Sequence, residues 1–175
     1  FIVFNVFVIS LCWALGMYVL ATGMLGRKHK IKVGLIYSAI FYPIQLTMNF
    51  LFILVIDYQI LLWDVCLFLL QAMLLALLLS HVYHERLVKT LSAVALSHFA
   101  SYTFYAVFEA FVFEIMPDIK QLGMLKAMLL LNIFPHFVML CFAIGMAFLL
   151  KKMNFHTYFT YLFRTRKRSL ATMVG

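Results

Sequence analysis

ILLWDVCLFLLQAMLLALLLS, residues 60–80, is a run of apolar side chains interrupted only by Asp64 and Gln71 before it ends at Ser80. A helix rises about 1.5 Å per residue, so about 20 apolar residues cross the roughly 30 Å hydrocarbon layer of a membrane. Transmembrane β-strands would instead show alternating segments of about ten residues. The run therefore predicts a membrane-spanning helix.

Runs of this kind fill the chain, which has 175 residues, 66% of them hydrophobic and 11% charged. A soluble globule of this composition would lack the polar surface to cover its core. Runs long enough to span a membrane cover residues 1–24, 33–56, 60–80, 90–116 and 124–150. We therefore predict an all-α polytopic membrane protein with up-and-down topology. Residues 1–150 form a bundle of five transmembrane helices, and residues 151–175 form a basic amphipathic cytoplasmic tail.

The two ends of the chain carry no terminal signals. Phe1 already lies inside an apolar run, with no initiator methionine and no basic flank before it, and SLATMVG (169–175) has no closing feature. We therefore expect a piece of a longer protein, with room for one more helix upstream. Glycine is sparse, with 7 residues against 19 phenylalanines. We expect wide, aromatic-filled contacts between helices rather than tight crossings at glycine.

The basic residues indicate the orientation. Of the 14 lysines and arginines, twelve fall in the connection 26–32, in the connection 81–89 and in the tail from Lys151. The alternate connections, 57–59 and 117–123, with the first turn of the fifth run, hold the other two. Cytoplasmic loops of membrane proteins carry the excess of basic residues. We expect residue 1 outside the cell, the C-terminus in the cytoplasm, and the plasma membrane as the location.

The tail combines an aromatic face with a basic cluster. Phe155, Phe159, Leu162 and Phe163 recur at i, i+4, i+7 and i+8 before RTRKRS (164–169). This pattern is typical of a segment that lies along the inner membrane surface. Anionic inner-leaflet lipid is then a sufficient partner for the net charge of +8, and no nucleic acid is needed.

Polar side chains within the apolar runs fall on single helical faces. Such groups are costly in hydrocarbon, so these faces are expected to point into the bundle. They are formed by His98, Ser101, Tyr102, Tyr105 and Glu109 in the fourth run, Ser38, Tyr42, Gln45 and Asn49 in the second, Asp64 and Gln71 in the third, and Asn132 and His136 in the fifth.

Several of these residues share one depth, about 8 to 13 Å below the outer boundary. We expect an outer-leaflet cluster that binds a ligand or an ion, formed by Gln45, Asn49, Asp64, Glu109, Lys126 and Asn132. The alternative is a structural role, because buried polar residues of bundles often only hydrogen-bond across helices, for about 0.6 kcal/mol each. The alternative is weaker for Asp64 and Glu109, since an ionised carboxylate in hydrocarbon needs a partner or a proton.

His98 and His136 lie at a second common depth, about 12 Å from the cytoplasmic edge, and are expected to face each other as an inner polar pair. They could hold a haem b, but a single pair without a supporting signature does not favour one, and we expect no cofactor. HVYHE (81–85) matches no zinc-protease order, and a hydrated helix end explains it equally well, so no metal is expected either.

Pro43 and Pro135 each remove one backbone hydrogen bond of their helix near mid-membrane. They are candidate hinges beside the polar stripes. Static bends are the open alternative.

The layout resembles the membrane sensor region of peptide-pheromone receptor histidine kinases of Gram-positive bacteria. The features that match are a first helix ending in LGRKHKIK (25–32), minimal outer connections, a second basic entry HERLVKTLSAVAL (84–96) and a last helix that runs into a basic segment. They cover about 150 residues. The resemblance implies that the outer ends and pocket of the bundle receive an extracellular peptide and that a cytoplasmic kinase follows. It assigns no role to any single residue.

Three functions are open. A receptor or sensor, which we favour, would take a ligand from outside and relay a tilt through its kinked helices to the tail. A small ion-coupled transporter or channel would use Asp64 and Glu109 for a cation or proton, with the histidines continuing the path. An accessory subunit of a larger membrane complex, or a homodimer, would use the stripes as interfaces. Catalysis is not expected, because no nucleophile–base pair stands out.

Overall fold

Within the computed structural model, residues 2–55, 60–115 and 133–163 are described, with side chains for 4–47, 66–112, 114–115 and 133–163. Over these ranges every regular element is a helix. The helices are α1 (Ile2–Met24), α2 (Ile31–Val55), α3 (Ile60–Tyr83), α4 (Leu87–Ile115), α5 (Phe134–Lys152) and α6 (155–163).

Four helices of the described ranges are long and apolar enough to cross a membrane. Their candidate spans are Phe4–Met24 in α1, Cys66–Tyr83 in α3, Leu87–Val112 in α4 and Phe134–Lys152 in α5. In α2 the described apolar stretch, Ile31–Thr47, is shorter. The prediction of an all-helical chain with several long apolar helices is confirmed, and it is compatible with an integral membrane protein.

The first helix, α1, lies at the centre of the bundle. Half of its apolar span is buried, against 22 to 28% for the spans of α3, α4 and α5. It packs directly on α2, α4 and α5. It reaches α3 through hydrogen bonds of Trp13 and Tyr18 to Gln71 and Tyr83. A shift of α1 would therefore change its contacts with all four helices around it.

The contact between α1 and α5 is a seam of small residues. A β-carbon on Gly16 would lie 3.1 Å from the sulfur of Met139, and one on Gly23 would lie 2.9 Å from the β-carbon of Ala147. Gly16 also faces Ala143. The expectation of wide aromatic contacts is therefore wrong for this pair, because the backbones approach too closely to admit a side chain. The order of the contacts shows that α1 and α5 run in the same direction.

The C-terminal ends of α1, α3 and α5 lie at one end of the bundle. Each of these helices is followed, within two residues, by a residue in the left-handed conformation: Gly26 (φ 66°), His84 (φ 53°) and Asn154 (φ 53°). After α1 the Arg27 N–H donates to the Thr22 carbonyl at 3.0 Å, and after α3 the Glu85 N–H donates to the Ser80 carbonyl at 3.2 Å. These bonds satisfy carbonyls that a helix end leaves unpaired.

The same end is tied together by side chains, and we call it the basic end because the turns there carry Arg27, Lys28, Lys30 and Arg86. Arg27 donates to the Glu85 carboxylate from Nε at 3.0 Å and from Nη2 at 2.5 Å. Lys89, itself buried, donates to the other oxygen of Glu85 at 3.1 Å. The turn after α1 is thus bonded to the turn between α3 and α4.

The short helix α6 turns an aromatic face to the bundle. Phe155 stacks on Phe159, whose ring meets that of Phe163 edge-on, and Phe159 is 2% exposed within the core. The sequence grouped Leu162 with them, but it is 64% exposed. Leu162 does not pack on the bundle, and its predicted contact with the membrane surface stays a prediction. Residues 164–175 lie outside the described residues, so the placement of the tail along the membrane stays a prediction.

Candidate functional site

A cavity of 510 Å³ lies within the bundle and is lined by residues of all five long helices. Its volume falls within the range of about 300–1,000 Å³ that small-molecule sites occupy. Trp13 of α1 and His98 of α4 lie on its wall. Each is eleven residues from the basic end of its helix, or about 16 Å along the helix axis. That distance is about half the thickness of a hydrocarbon layer.

Trp13 connects the polar residues of this wall. Its indole N–H donates to the Gln71 side-chain oxygen at 3.2 Å. Its ring contacts those of His98, His136 and Tyr105, with centroid separations of 5.3, 5.9 and 6.3 Å. Aromatic pairs prefer such edge-on or tilted arrangements. One side chain of the central helix therefore touches α3, α4 and α5 at the cavity.

The hydrogen bond from Trp13 fixes the orientation of the Gln71 amide. An indole N–H can only donate, so it faces the amide oxygen and leaves the amide nitrogen as a donor directed elsewhere. Gln71 is 3% exposed, and its nitrogen makes no hydrogen bond of ordinary geometry among the residues that the structure describes, although the buried Tyr37 hydroxyl interacts with the Gln71 side chain. A buried donor without a partner costs about 1–3 kcal/mol. The nitrogen is itself enclosed by protein atoms, so a molecule in the cavity does not reach it.

A second buried polar atom, Nδ1 of His98, also lacks a hydrogen-bond partner among the described residues. The imidazole ring lies edge-on to Phe68 with a centroid separation of 4.1 Å. The ring is thus held by aromatic packing, while one nitrogen keeps its capacity for a hydrogen bond.

The predicted outer-leaflet cluster is described only in part. Gln45 lines the cavity, and its side-chain oxygen lies 2.6 Å from the Ser10 hydroxyl. Glu109 is half-buried on α4, one turn beyond Tyr105. The remaining members lie outside the residues whose side chains are described: Asn49, Asp64, Lys126 and Asn132. The cluster as a ligand or ion site therefore stays a prediction.

His98 and His136 line the same cavity, and Trp13 touches both. Their function as an inner polar pair is not tested by this placement. Pro43 lies inside α2 and Pro135 lies buried in the first turn of the described part of α5. Hinge motion at either residue stays a prediction.

The HVYHE segment has a structural role. His84 ends α3 in the left-handed conformation, and Glu85 is bound by Arg27 and Lys89. Burial alone would raise the pKa of Glu85, but the hydrogen bonds and charges of these two cations lower it below its ordinary value. Across the described part of the chain, no group of three or more His, Cys, Asp or Glu side chains is placed to hold a metal ion.

Sequence reasoning missed Trp13, because tryptophan counts as apolar in a hydropathy pattern. The signal that could have found it is chemical: a tryptophan in mid-run has an N–H that needs an acceptor on a neighbouring helix. Gln71 was the available acceptor.

Comparison with family models, with curated proteins and with solved structures finds no match for this chain. The similarity in layout to the pheromone receptors therefore carries no family assignment.

Proposed function

We propose that this chain is the membrane module of a receptor or sensor that binds a small ligand inside its helical bundle. The observation that carries the proposal is the cavity of 510 Å³, which all five long helices line. Its lining residues include Gln45, Gln71, His98 and His136, so polar side chains of four helices meet at one cavity.

In this proposal all five long helices cross the plasma membrane in alternating directions. The basic end faces the cytoplasm, where anionic lipid neutralises its lysines and arginines. Residue 1 then starts outside and the C-terminus lies inside. The parallel run of α1 and α5 agrees with this arrangement, because two helices separated by three crossings point the same way.

The central helix α1 is the proposed relay between the cavity and the cytoplasm. Trp13 touches the cavity, and five residues further along α1 the Tyr18 hydroxyl accepts a hydrogen bond from the Lys30 N–H at 2.8 Å. The Tyr18 hydroxyl is also 3.0 Å from that of Tyr83. A ligand that displaces the indole ring therefore moves the helix that anchors the turns of the basic end.

A small ion-coupled carrier is the second candidate. Gln45, Tyr105 and His136 line the same cavity as His98, and Glu109 follows Tyr105 on α4. Such a row of titratable and polar side chains is typical of a proton path. In liposomes that contain a pH-sensitive dye, a carrier would show proton flux that Glu109→Gln abolishes, whereas a receptor would show none.

The relay can be tested without the natural ligand. In a variant without native cysteines, Lys28→Cys places a reporter thiol in the turn after α1. Ala95 lines the cavity, and Ala95→Trp would occupy part of its volume. We expect this substitution to change the reaction rate of the reporter with a soluble maleimide several-fold, because the filled cavity displaces α1.

Ala106 on the same helix is exposed and does not line the cavity. Ala106→Trp is therefore the matched control and should leave the rate as it was. Equal rates in the two variants would show that the cavity is not coupled to the basic end, and the receptor proposal would fall.

A further inference from the structure

The short helix α6 is held against the bundle at the level where the apolar span of α1 ends. Phe159 of α6 is 2% exposed and belongs to the core. His156 contacts Gly26 so closely that a β-carbon on Gly26 would overlap its ring. Gly26 follows Met24, the last residue of the α1 span, by two residues. In the proposed membrane crossing, α6 therefore lies at the boundary of the hydrocarbon layer.

A second face of α6 is apolar and aromatic but lies outside the core. It consists of Tyr158, Tyr161 and Leu162, which recur at i, i+3 and i+4 and are 69%, 63% and 64% exposed. We call it the tyrosine face. Thr157 and Thr160 are also exposed and form a polar side of the helix. The helix therefore has one side on the bundle, one aromatic side outside it, and one polar side.

The chemistry of the tyrosine face fits the interfacial layer of a membrane. Tyrosine is enriched where membrane and water meet, because its ring is apolar while its hydroxyl group stays hydrated. A helix with an apolar side and a polar side lies in the plane of that layer. The side that packs on the core holds α6 at this level. Each of the three sides thus has a suitable environment.

The charges around α6 indicate which lipid it would meet. Lys151 and Lys152 precede the helix and are exposed, and Lys28 is exposed in the turn after α1. Lys151 lies near that turn, since burial and, after it, the charge of Lys151 lower the pKa of His29 below its ordinary value. A lysine close to an anionic membrane surface contributes about 1 kcal/mol of binding free energy. The complement of this group of cations is an anionic phospholipid.

From these observations we infer that α6 is an interfacial helix whose tyrosine face inserts into the leaflet at the basic end, beside anionic phospholipid headgroups at the neighbouring lysines. The sequence pattern predicts phenylalanines as lipid-facing residues of this segment, whereas Phe159 packs into the core. The inference rests on the proposed membrane crossing and not on the ligand site. Because His156 contacts Gly26, lipid bound to α6 also acts on the turn after α1.

The test places a nitrobenzoxadiazole fluorophore on single cysteines of the full chain without native cysteines, in lipid nanodiscs. Tyr158→Cys and Tyr161→Cys report on the tyrosine face, and their neighbours Thr157→Cys and Thr160→Cys report on the polar side. Quenching by phosphatidylcholine with a nitroxide on its acyl chain measures contact with lipid, and the rate of reduction by dithionite measures contact with water. We expect several-fold stronger quenching and several-fold slower reduction at the two tyrosine positions.

The preference for an anionic lipid is tested at Tyr158→Cys. Nanodiscs contain the same mole fraction of nitroxide-labelled phosphatidylglycerol or of nitroxide-labelled phosphatidylcholine. We expect several-fold stronger quenching by the labelled phosphatidylglycerol, and equal quenching by the two lipids once Lys151→Gln and Lys152→Gln are added. Both lysines are exposed, so the added substitutions should leave the rate of dithionite reduction at Thr157→Cys unchanged.

Three results would contradict the inference. Equal values at all four positions would place α6 in water. Slow reduction at the tyrosine positions without quenching by lipid would mean that a protein surface, such as a second copy of the chain, covers that face. Equal quenching by the two labelled lipids in the parent protein would overturn the anionic class.

The control for the membrane crossing is Leu96→Cys, at an exposed position of the candidate span Leu87–Val112. A fluorophore there should be quenched by the labelled lipid. If it is quenched while the positions on α6 are not, the crossing stands and only this inference fails. If none of the five positions is quenched, the proposed crossing fails together with it.

Discussion

At the scale of single residues, Glu85 links the turns of the basic end to each other. Its carboxylate accepts hydrogen bonds from Arg27 and Lys89, and its side chain is only 12% exposed. The Lys89 side chain is 9% exposed and that of Arg27 is 45% exposed, so Lys89 is the buried partner. Leaving a buried charge without its partner costs more than breaking an exposed pair. The residue therefore contributes to stability in a way that depends on its charge.

We predict that Glu85→Gln destabilises the bundle by about 1–2 kcal/mol at pH 7. The pKa of Glu85 is lower in the folded chain than in the unfolded one, so its contribution is complete above the ordinary glutamate range. The contribution disappears as the pH falls through the folded pKa. Reversible unfolding in mixed micelles should give different stabilities for the two proteins at pH 7 and values that converge as the pH falls below the ordinary glutamate range.

The control for this prediction is Glu114→Gln, which removes an exposed carboxylate at the other end of α4. Its stability should follow that of the parent at every pH. A Glu85→Gln protein that remains less stable by the same amount in acid would show that shape, and not charge, accounts for the loss.

At the scale of the helices, the seam between α1 and α5 decides which elements are neighbours. Gly23 meets both the Cβ and the Cα of Ala147, so an added methyl group would press on backbone as well as on side chain. In α5, a β-carbon on Gly145 would meet nothing within 4 Å. The two glycines offer a comparison in which only the packing differs.

Gly23→Ala should lower the free energy of unfolding by about 1–3 kcal/mol through overpacking. Gly145→Ala should raise it by up to about 1 kcal/mol, because alanine is the better helix former. Unfolding of both variants in mixed micelles measures the difference. Equal stabilities would show that the seam opens to admit a methyl group without cost.

The apolar runs predicted where the helices begin and end, but they did not predict which helices pack against each other. The thickness of hydrocarbon fixes the length of a helix, so 1–24 and 60–80 were placed within a few residues of α1 and α3. Lipid is as apolar as leucine, however, and the pattern of leucines does not say which faces meet. Gln45 was expected in the outer cluster and His98 and His136 in the inner pair, and all three line one cavity. Their role in binding stays a prediction. The polar stripes did not include Trp13, because tryptophan counts as apolar in a hydropathy pattern although its indole N–H is a hydrogen-bond donor.

At the scale of the whole molecule, the polar bonds and the cavity are segregated along the bundle axis. The bonds of Arg27, Tyr18 and Lys89 tie the basic end, whereas the cavity opens about 16 Å away, at Trp13 and His98. One end is therefore held by hydrogen bonds and ion pairs, and the middle contains the cavity. In the proposed receptor, the ligand would bind at the level of the cavity and the response would appear at the basic end.

The proposed orientation of this axis can be measured with thiols on its two ends. In the variant without native cysteines, Lys28→Cys marks the basic end and Glu114→Cys the opposite end of α4. We expect a membrane-impermeant maleimide to label Lys28→Cys only in inside-out vesicles and Glu114→Cys only from outside the cell. The reverse labelling pattern would show that the protein has the opposite orientation in the membrane. Labelling of both thiols from the same side would show that α4 does not cross the membrane.

The seam of α1 and α5 also has a consequence for biosynthesis. Within this chain α1 leaves the ribosome before its main partner, and α5 follows only after α2, α3 and α4 have been made. Until then the groove at Gly16 and Gly23 faces lipid or a chaperone. The contact between α1 and α5 therefore cannot form before residues 134–152 have been made, and we expect a nascent chain arrested before residue 134 to leave the groove at Gly16 and Gly23 unfilled.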